Sequence, residues 1–238
     1  MAGIEALGAL RASPLTGVFV TLLAYRLALW LNRRCHGHPL SNPVLIGVLL
    51  LLGWLLLSGT DYRQYMQGAQ LIQMLLGPAT VALAVPLYGN LSRLKRAAGL
   101  LALSILLGGL AGIVSAVGFG WLFGLPHEVL LSLSTRAVTT PIAMSVAQGI
   151  GGVPELSAMC VILSGIFGAV VARPLFAALG LHDDMALGVA TGISAHGIGT
   201  ARVFQLSETA GAFAGLAMGL NGLLTALLVP LLLALFPL

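Results

Sequence analysis

Apolar residues run in long blocks along this chain, and polar residues gather in the short gaps between them. Residues 43–57 (PVLIGVLLLLGWLLL), 98–117 and 210–236 are blocks of this kind. They approach or exceed the ~20 residues that cross a hydrocarbon core ~30 Å thick. The pattern predicts helical units at 14–33, 42–58, 66–90, 97–123, 127–149, 154–180, 184–207 and 209–236, after an N-terminal segment, 1–13. Pro126 and Pro154 fit the first position of a helix, where a missing N–H costs nothing. Glu128 and Glu155 then fall in first turns, where negative charge suits the helix dipole. Alternating strands of about ten residues, as a transmembrane barrel needs, are not found. The fold class is an all-α polytopic membrane protein of about eight helical units.

Three units are broken. The unit at 66–90 contains LLGPATVALAVPLYGN, with Gly77-Pro78 and then Pro86. The unit at 127–149 contains STRAVTTPIAM, with Arg136 and Thr139-Thr140-Pro141. The unit at 184–207 contains SAHGIGTAR, residues 194–202. A capping-type residue before proline, as at Gly77 and Thr140, starts a helix in mid-membrane. Half-helices of this kind aim unpaired N–H groups and positive dipole at one place. Irregular backbone at membrane depth is tolerated only inside protein or beside a watery cavity, so each break is a candidate site.

Gly77-Pro78-Ala79-Thr80 resembles Gly197-Ile198-Gly199-Thr200. Paired broken helices in corresponding halves point to a transporter binding site. The matching halves would be about 42–123 and 154–236, and an inverted relation requires the unit at 127–149 to be re-entrant. Whether that unit crosses or re-enters stays open here. With a crossing at 184–207, a re-entrant unit at 127–149 places the C-terminus inside.

Composition supports the membrane class. Of 238 residues, 58% are hydrophobic and 8% charged, and the mean hydropathy is +1.03. The 31 glycines suit helices packed backbone to backbone. Gly211, Gly215 and Gly219 share a face of the last unit, Gly188 and Gly192 repeat the spacing before His196, and Gly108 and Gly112 do likewise. These are read as helix-packing positions, and they also suit a homodimer.

The net charge of +4 does not imply nucleic acid, because the basic residues cluster at loop ends. Arg33, Arg34, Arg93, Lys95 and Arg96 mark cytoplasmic loops, which puts the N-terminus outside. Residues 1–13 show no cleavable signal pattern. Cys35 and Cys160 are read as a loop thiol and a packing residue. No metal-ligand or catalytic motif is present, and neither a cofactor nor an enzymatic activity is expected. Ser194 and His196, two apart on a helix, do not face each other as nucleophile and base.

Ionisable residues sharpen the picture. Glu5, Asp61, Glu128, Glu155, Asp183, Asp184 and Glu208 all fall at predicted helix ends or loops. A cation-coupled carrier would normally place a carboxylate at mid-span. This chain offers Arg136, Arg202 and His196 near breaks instead, with Thr80, Thr139, Thr140 and Thr200 hydroxyls. That balance favours a small organic anion. The competing reading is a buried polar network that satisfies backbone groups at the kinks. Arg26 and Arg173 are read as snorkelling or structural pairs.

LLGPATVALAVPLY (75–88), VTTPIAM (138–144), SAHGIGTA (194–201) and GLAMGLNGLLTALLVPLL (215–232) together resemble the LrgB/CidB family of bacterial inner-membrane proteins. The resemblance covers nearly the whole chain from about residue 14. It implies a multi-pass protein of the bacterial plasma membrane. It also implies two functional pictures. One is transport of small monocarboxylates of the pyruvate, glycolate or glycerate type. The other is holin- or antiholin-like control of murein hydrolase activity and lysis, with a smaller LrgA/CidA-type partner. The family blocks fall on Gly77, Pro78, Thr80, Thr139, Thr140, Pro141, His196, Gly197, Gly199 and Thr200, and carry no catalytic residue. The cationic, threonine-bearing breaks agree with the carboxylate picture.

Overall fold

A computed structural model describes residues 13–75, 78, 81, 82 and 84–235. Gly77 and Thr80 lie outside the described residues, so the short repeat pairing 77–80 with 197–200 has no described counterpart. The described residues form helices and no strand, in two compact units, Met1–Ala82 and Leu83–Leu238.

The first unit holds α1 (Pro14–Arg34), α2 (Pro43–Ser58) and α3 (Tyr62–Met74). Asn42 caps α2, its Oδ1 accepting from Val44 N at 2.8 Å, and Asp61 caps α3 through Arg63 N at 3.0 Å. Gly17 of α1 lets the backbone of α3 approach closely, since a Cβ there would lie 2.6 Å from Tyr65 O. Pro78 belongs to this unit and is exposed.

The second unit contains α4 (Ala84–Gly89), α5 (Leu91–Leu122), α6 (His127–Ser134), α7 (Thr140–Ile150), α8 (Pro154–Ala178), α9 (Asp184–Phe204) and α10 (Glu208–Leu235). Helices α1, α5, α8 and α10 are long and apolar enough to span a membrane. In α8 a small-residue stripe, Ser157, Val161, Gly165 and Ala169, is buried at four-residue spacing. Met159, Leu163 and Phe167 on another face are exposed, as a lipid-facing stripe would be.

Helices α6 and α7 form a re-entrant hairpin. Near the end of α5, Gly120 packs on Leu130 and Leu133 of α6, and Arg136 reaches back to Gly112 O, so α6 runs against α5. Helix α7 then returns alongside α8, with Ala143 clustered on Val161. Val153 N–H donates to Ser132 Oγ at 2.8 Å, which brings the end of this hairpin back beside its first arm. The chain therefore leaves on the face by which it came.

The break at 184–207 is a second hairpin rather than a kinked span. His196 sits at φ 38, ψ −134 inside α9. Beyond it the chain folds back, so that Leu187 and Val203 share one cluster. A Cβ on Gly199 would lie 2.6 Å from Thr191 Cγ2, whereas eight residues of straight helix span about 12 Å. Asp184 and Ser207 close the neck, Ser207 Oγ donating to Asp184 Oδ2 at 2.6 Å. The 184–195 arm runs parallel to α10, Gly188 and Gly192 lying against the carbonyls of Ala210 and Ala214. The 197–204 arm runs antiparallel, Thr200 and Phe204 facing Met218 and Gly211 in turn.

Two hairpins entering from opposite faces change the expected topology. With α5, α8 and α10 as the crossings of this unit, the start of α5 and the end of α10 lie on opposite faces. The C-terminus is then placed opposite to the expectation that a re-entrant 127–149 unit alone carries, because 184–207 does not cross either. Among the packing glycines, Gly211 abuts Phe204, Gly215 is half-buried, and Gly219 is exposed with nothing within 4 Å of an added Cβ. Gly219 is thus no packing position within this unit, whereas Gly188 and Gly192 are.

Candidate functional site

The tips of the two hairpins meet at the centres of α5, α8 and α10. The first tip, residues 135–139, is tied to α8 by Thr135 Oγ1 donating to Ser157 Oγ at 3.1 Å and Ser164 Oγ donating to Arg136 O at 2.8 Å. The second tip is tied to α8 between those two contacts. Nε2 of His196 stands 2.9 Å from Val161 O. A carbonyl oxygen only accepts, so the imidazole donates there. Gly165 makes room for the ring, since a Cβ would lie 2.6 Å from Cε1 and Nε2. Ala195 beside it packs on Gly168 in the same way.

Most of the polar groups at the second tip are spent on the fold-back itself. Thr200 Oγ1 donates to His196 O at 2.7 Å, a bond from a buried hydroxyl back across the first turn of the 197–204 arm. His196 and Thr200 are therefore structural to the tip, which favours the buried-network reading for these two residues. Gly199 is a close-approach glycine against Thr191 and Ala195. Gly197 differs: it is half-buried, and an added Cβ would meet only Met218 Sδ at 3.8 Å. Space remains beside the start of the 197–204 arm, where backbone N–H groups lack helical partners.

At the first tip, Thr139 is the N-cap of α7 and makes no side-chain cap bond. Thr140 opens the helix and Pro141 follows in its first turn; both threonines are half-buried. The N-terminus of α7 thus meets the centre of the unit with its dipole unneutralised by a cap. Arg136 is half-buried beside it and extends one nitrogen, Nη2, to Gly112 O at 3.4 Å. A guanidinium has five donors, so this long bond leaves capacity for an anion. Arg202 is not at the junction. It sits six residues past the reversal, about 9 Å along a helix axis, and its Nη1 donates to Gln205 Oε1 at 3.3 Å near the hairpin neck.

Each described acidic residue of this unit falls at a helix start. Glu128, Glu155, Asp184 and Glu208 lie in first turns, and Asp183 caps α9. The junction therefore carries positive charge and dipole without a described carboxylate. A groove of about 500 Å³ runs between α5 and the 184–195 arm. It extends from Asp183 and Met185 near the neck, past Ser104, to Gly108, Ile193 and Ser194 beside the tip.

One residue outside the predicted set joins both tips. Asn221 of α10 is fully buried, and its Nδ2 donates to Ala137 O at 3.0 Å and Ile193 O at 3.3 Å. Its signal in the sequence is plain afterwards: it is the one side-chain amide in the apolar run 209–236.

The model of the LrgB-like family matches residues 21–235. The chain is 34% identical over 220 residues to the uncharacterized protein YwbG of Bacillus subtilis, covering 92% of this chain and 97% of that one. It is 28% identical to the holin-like protein CidB of Staphylococcus epidermidis, covering 92% and 95%. It is also 28% identical to the antiholin-like protein LrgB of Bacillus subtilis, covering 92% and 94%. No solved structure matches. Family match and apolar spanning helices together make this a multi-pass membrane protein, and the chain belongs to the LrgB-like family.

Proposed function

We propose that the protein is a carrier of small organic monocarboxylates, of the pyruvate, glycolate or glycerate type, in the bacterial plasma membrane. One observation carries this reading: two re-entrant hairpins enter from opposite faces and their tips meet in mid-unit. Such an arrangement gives each face its own movable element against one shared site, the requirement of alternating access. Arg136 and the N-termini at 140 and 197 hold the carboxylate, and Thr139 and Thr140 take its remaining oxygens. With Arg93, Lys95 and Arg96 cytoplasmic, the 184–204 hairpin opens to the cytoplasm and the 127–150 hairpin opens outward; Arg33 and Arg34, cytoplasmic in the loop after the first helix, put the N-terminus outside. Uptake of labelled pyruvate, glycolate and glycerate by proteoliposomes tests the proposal. Uptake no faster than in protein-free vesicles sinks it.

A second reading is favoured by the names of the relatives, holin-like CidB and antiholin-like LrgB. In it the protein regulates murein hydrolase activity and lysis with an LrgA/CidA-type partner. It predicts leakage of dyes larger than a carboxylate from reconstituted vesicles, insensitive to Arg136→Gln.

A further inference from the structure

We infer that Asn221 is the positioning residue that couples the two hairpins, and that its carboxamide becomes a ligand of the transported anion when either tip withdraws. The inference rests on the carrier reading for its second half only.

Nδ2 of an amide has two N–H bonds, and here one goes to each hairpin, through Ala137 O and Ile193 O. Both acceptors lie in or beside the hairpin tips. Neither hairpin can leave the centre without freeing one N–H and one carbonyl in a fully buried place. An unpaired buried polar group is costly, so the two tips are latched closed together. A carboxylate oxygen is a stronger acceptor than the carbonyl it would replace. Anion binding then offsets the cost of releasing a tip, and opening becomes dependent on substrate rather than spontaneous.

The fit of Asn221 depends on α5. Its Oδ1 is buried without a hydrogen-bond partner among the described residues, and it lies against Gly109, where a Cβ would stand 2.6 Å away. Glycine there costs helix propensity. Its use is to admit the carboxamide in the one orientation that presents nitrogen to both carbonyls.

The test uses full-length protein in proteoliposomes, in a Cys35→Ser, Cys160→Ala background with Thr140→Cys as reporter. A membrane-impermeant maleimide reads how often the tip opens. Asn221→Ala is expected to raise the substrate-free labelling rate about tenfold, an opening equilibrium shifted by about 1.4 kcal/mol. Gly109→Ala is expected to do the same while favouring the helix, and it stands in should Asn221→Ala not fold. Uptake without the reporter is expected to show a KM for Asn221→Ala about fivefold or more above that for Gly109→Ala, since both lack the latch and only the second keeps the carboxamide. Unchanged labelling in both variants overturns the latch, whether or not any probe is transported. Raised labelling with equal KM in the two variants overturns the ligand role. Raised labelling in a protein that takes up no probe keeps the latch and rejects the carrier reading.

Discussion

His196 and Val161 hold one hairpin to the helix behind it: the imidazole Nε2 stands 2.9 Å from the Val161 carbonyl oxygen, in a space that Gly165 leaves open. The histidine also occupies a left-handed backbone conformation, φ 38, that a side chain rarely adopts. Strain of this kind costs of order 1–3 kcal/mol and persists only where the surroundings over-determine it. His196→Ala removes the second bond to a carbonyl that α8 also uses within its own helix. The expected loss is about 0.5–1.5 kcal/mol for that bond, read as a lowered unfolding temperature in detergent. His196→Gln, which keeps an N–H donor, is expected to lose less. Equal stability of wild type and His196→Ala would contradict the seat.

Gly165 and Gly219 separate packing glycines from idle ones. An alanine at 165 drives its Cβ into the His196 ring, and overpacking of this sort costs about 1–3 kcal/mol. An alanine at 219 meets nothing within 4 Å and gains helix propensity, up to about 1 kcal/mol. Thermal unfolding of the two variants should therefore shift in opposite directions. The same sign for both would count against the hairpin packing.

Arg136 and Arg202 are predicted to part ways in transport. Arg136 lies at the junction, whereas Arg202 bonds Gln205 near the neck. Arg136→Gln is expected to cut carboxylate uptake about tenfold or more, a loss of about 1.4 kcal/mol per decade. Arg202→Gln should stay within about threefold of wild type. The reverse order would move the anion to the neck of the second hairpin.

The opposed hairpins make a topology prediction. Single cysteines at Glu128→Cys and Gly151→Cys, in the Cys35→Ser, Cys160→Ala background, should label from one face of the membrane. Leu181→Cys and Gln205→Cys should label from the other. If Leu181→Cys and Gln205→Cys label from different faces, the 184–207 segment crosses and the second hairpin is wrong.

The membrane class was legible from sequence because it follows from local composition: runs as long and apolar as 98–117 have no stable place in water. The breaks were legible for the same reason, since Thr140-Pro141 and His196-Gly197 are local backbone signals. Arg136 stood out as a charge with no mid-span carboxylate to answer it. Direction was not legible. A break tells that a helix ends, not whether the chain goes on or turns back. That was decided by pairs far apart in sequence, Ser132 with Val153 and Asp184 with Ser207. The partners of His196, Thr200 and Arg202 were not legible for the same reason, because each depends on which carbonyl or amide stands opposite. Asn221 looked like one polar residue in an apolar helix until two hairpins, 84 and 28 residues away in sequence, brought their carbonyls to its one nitrogen.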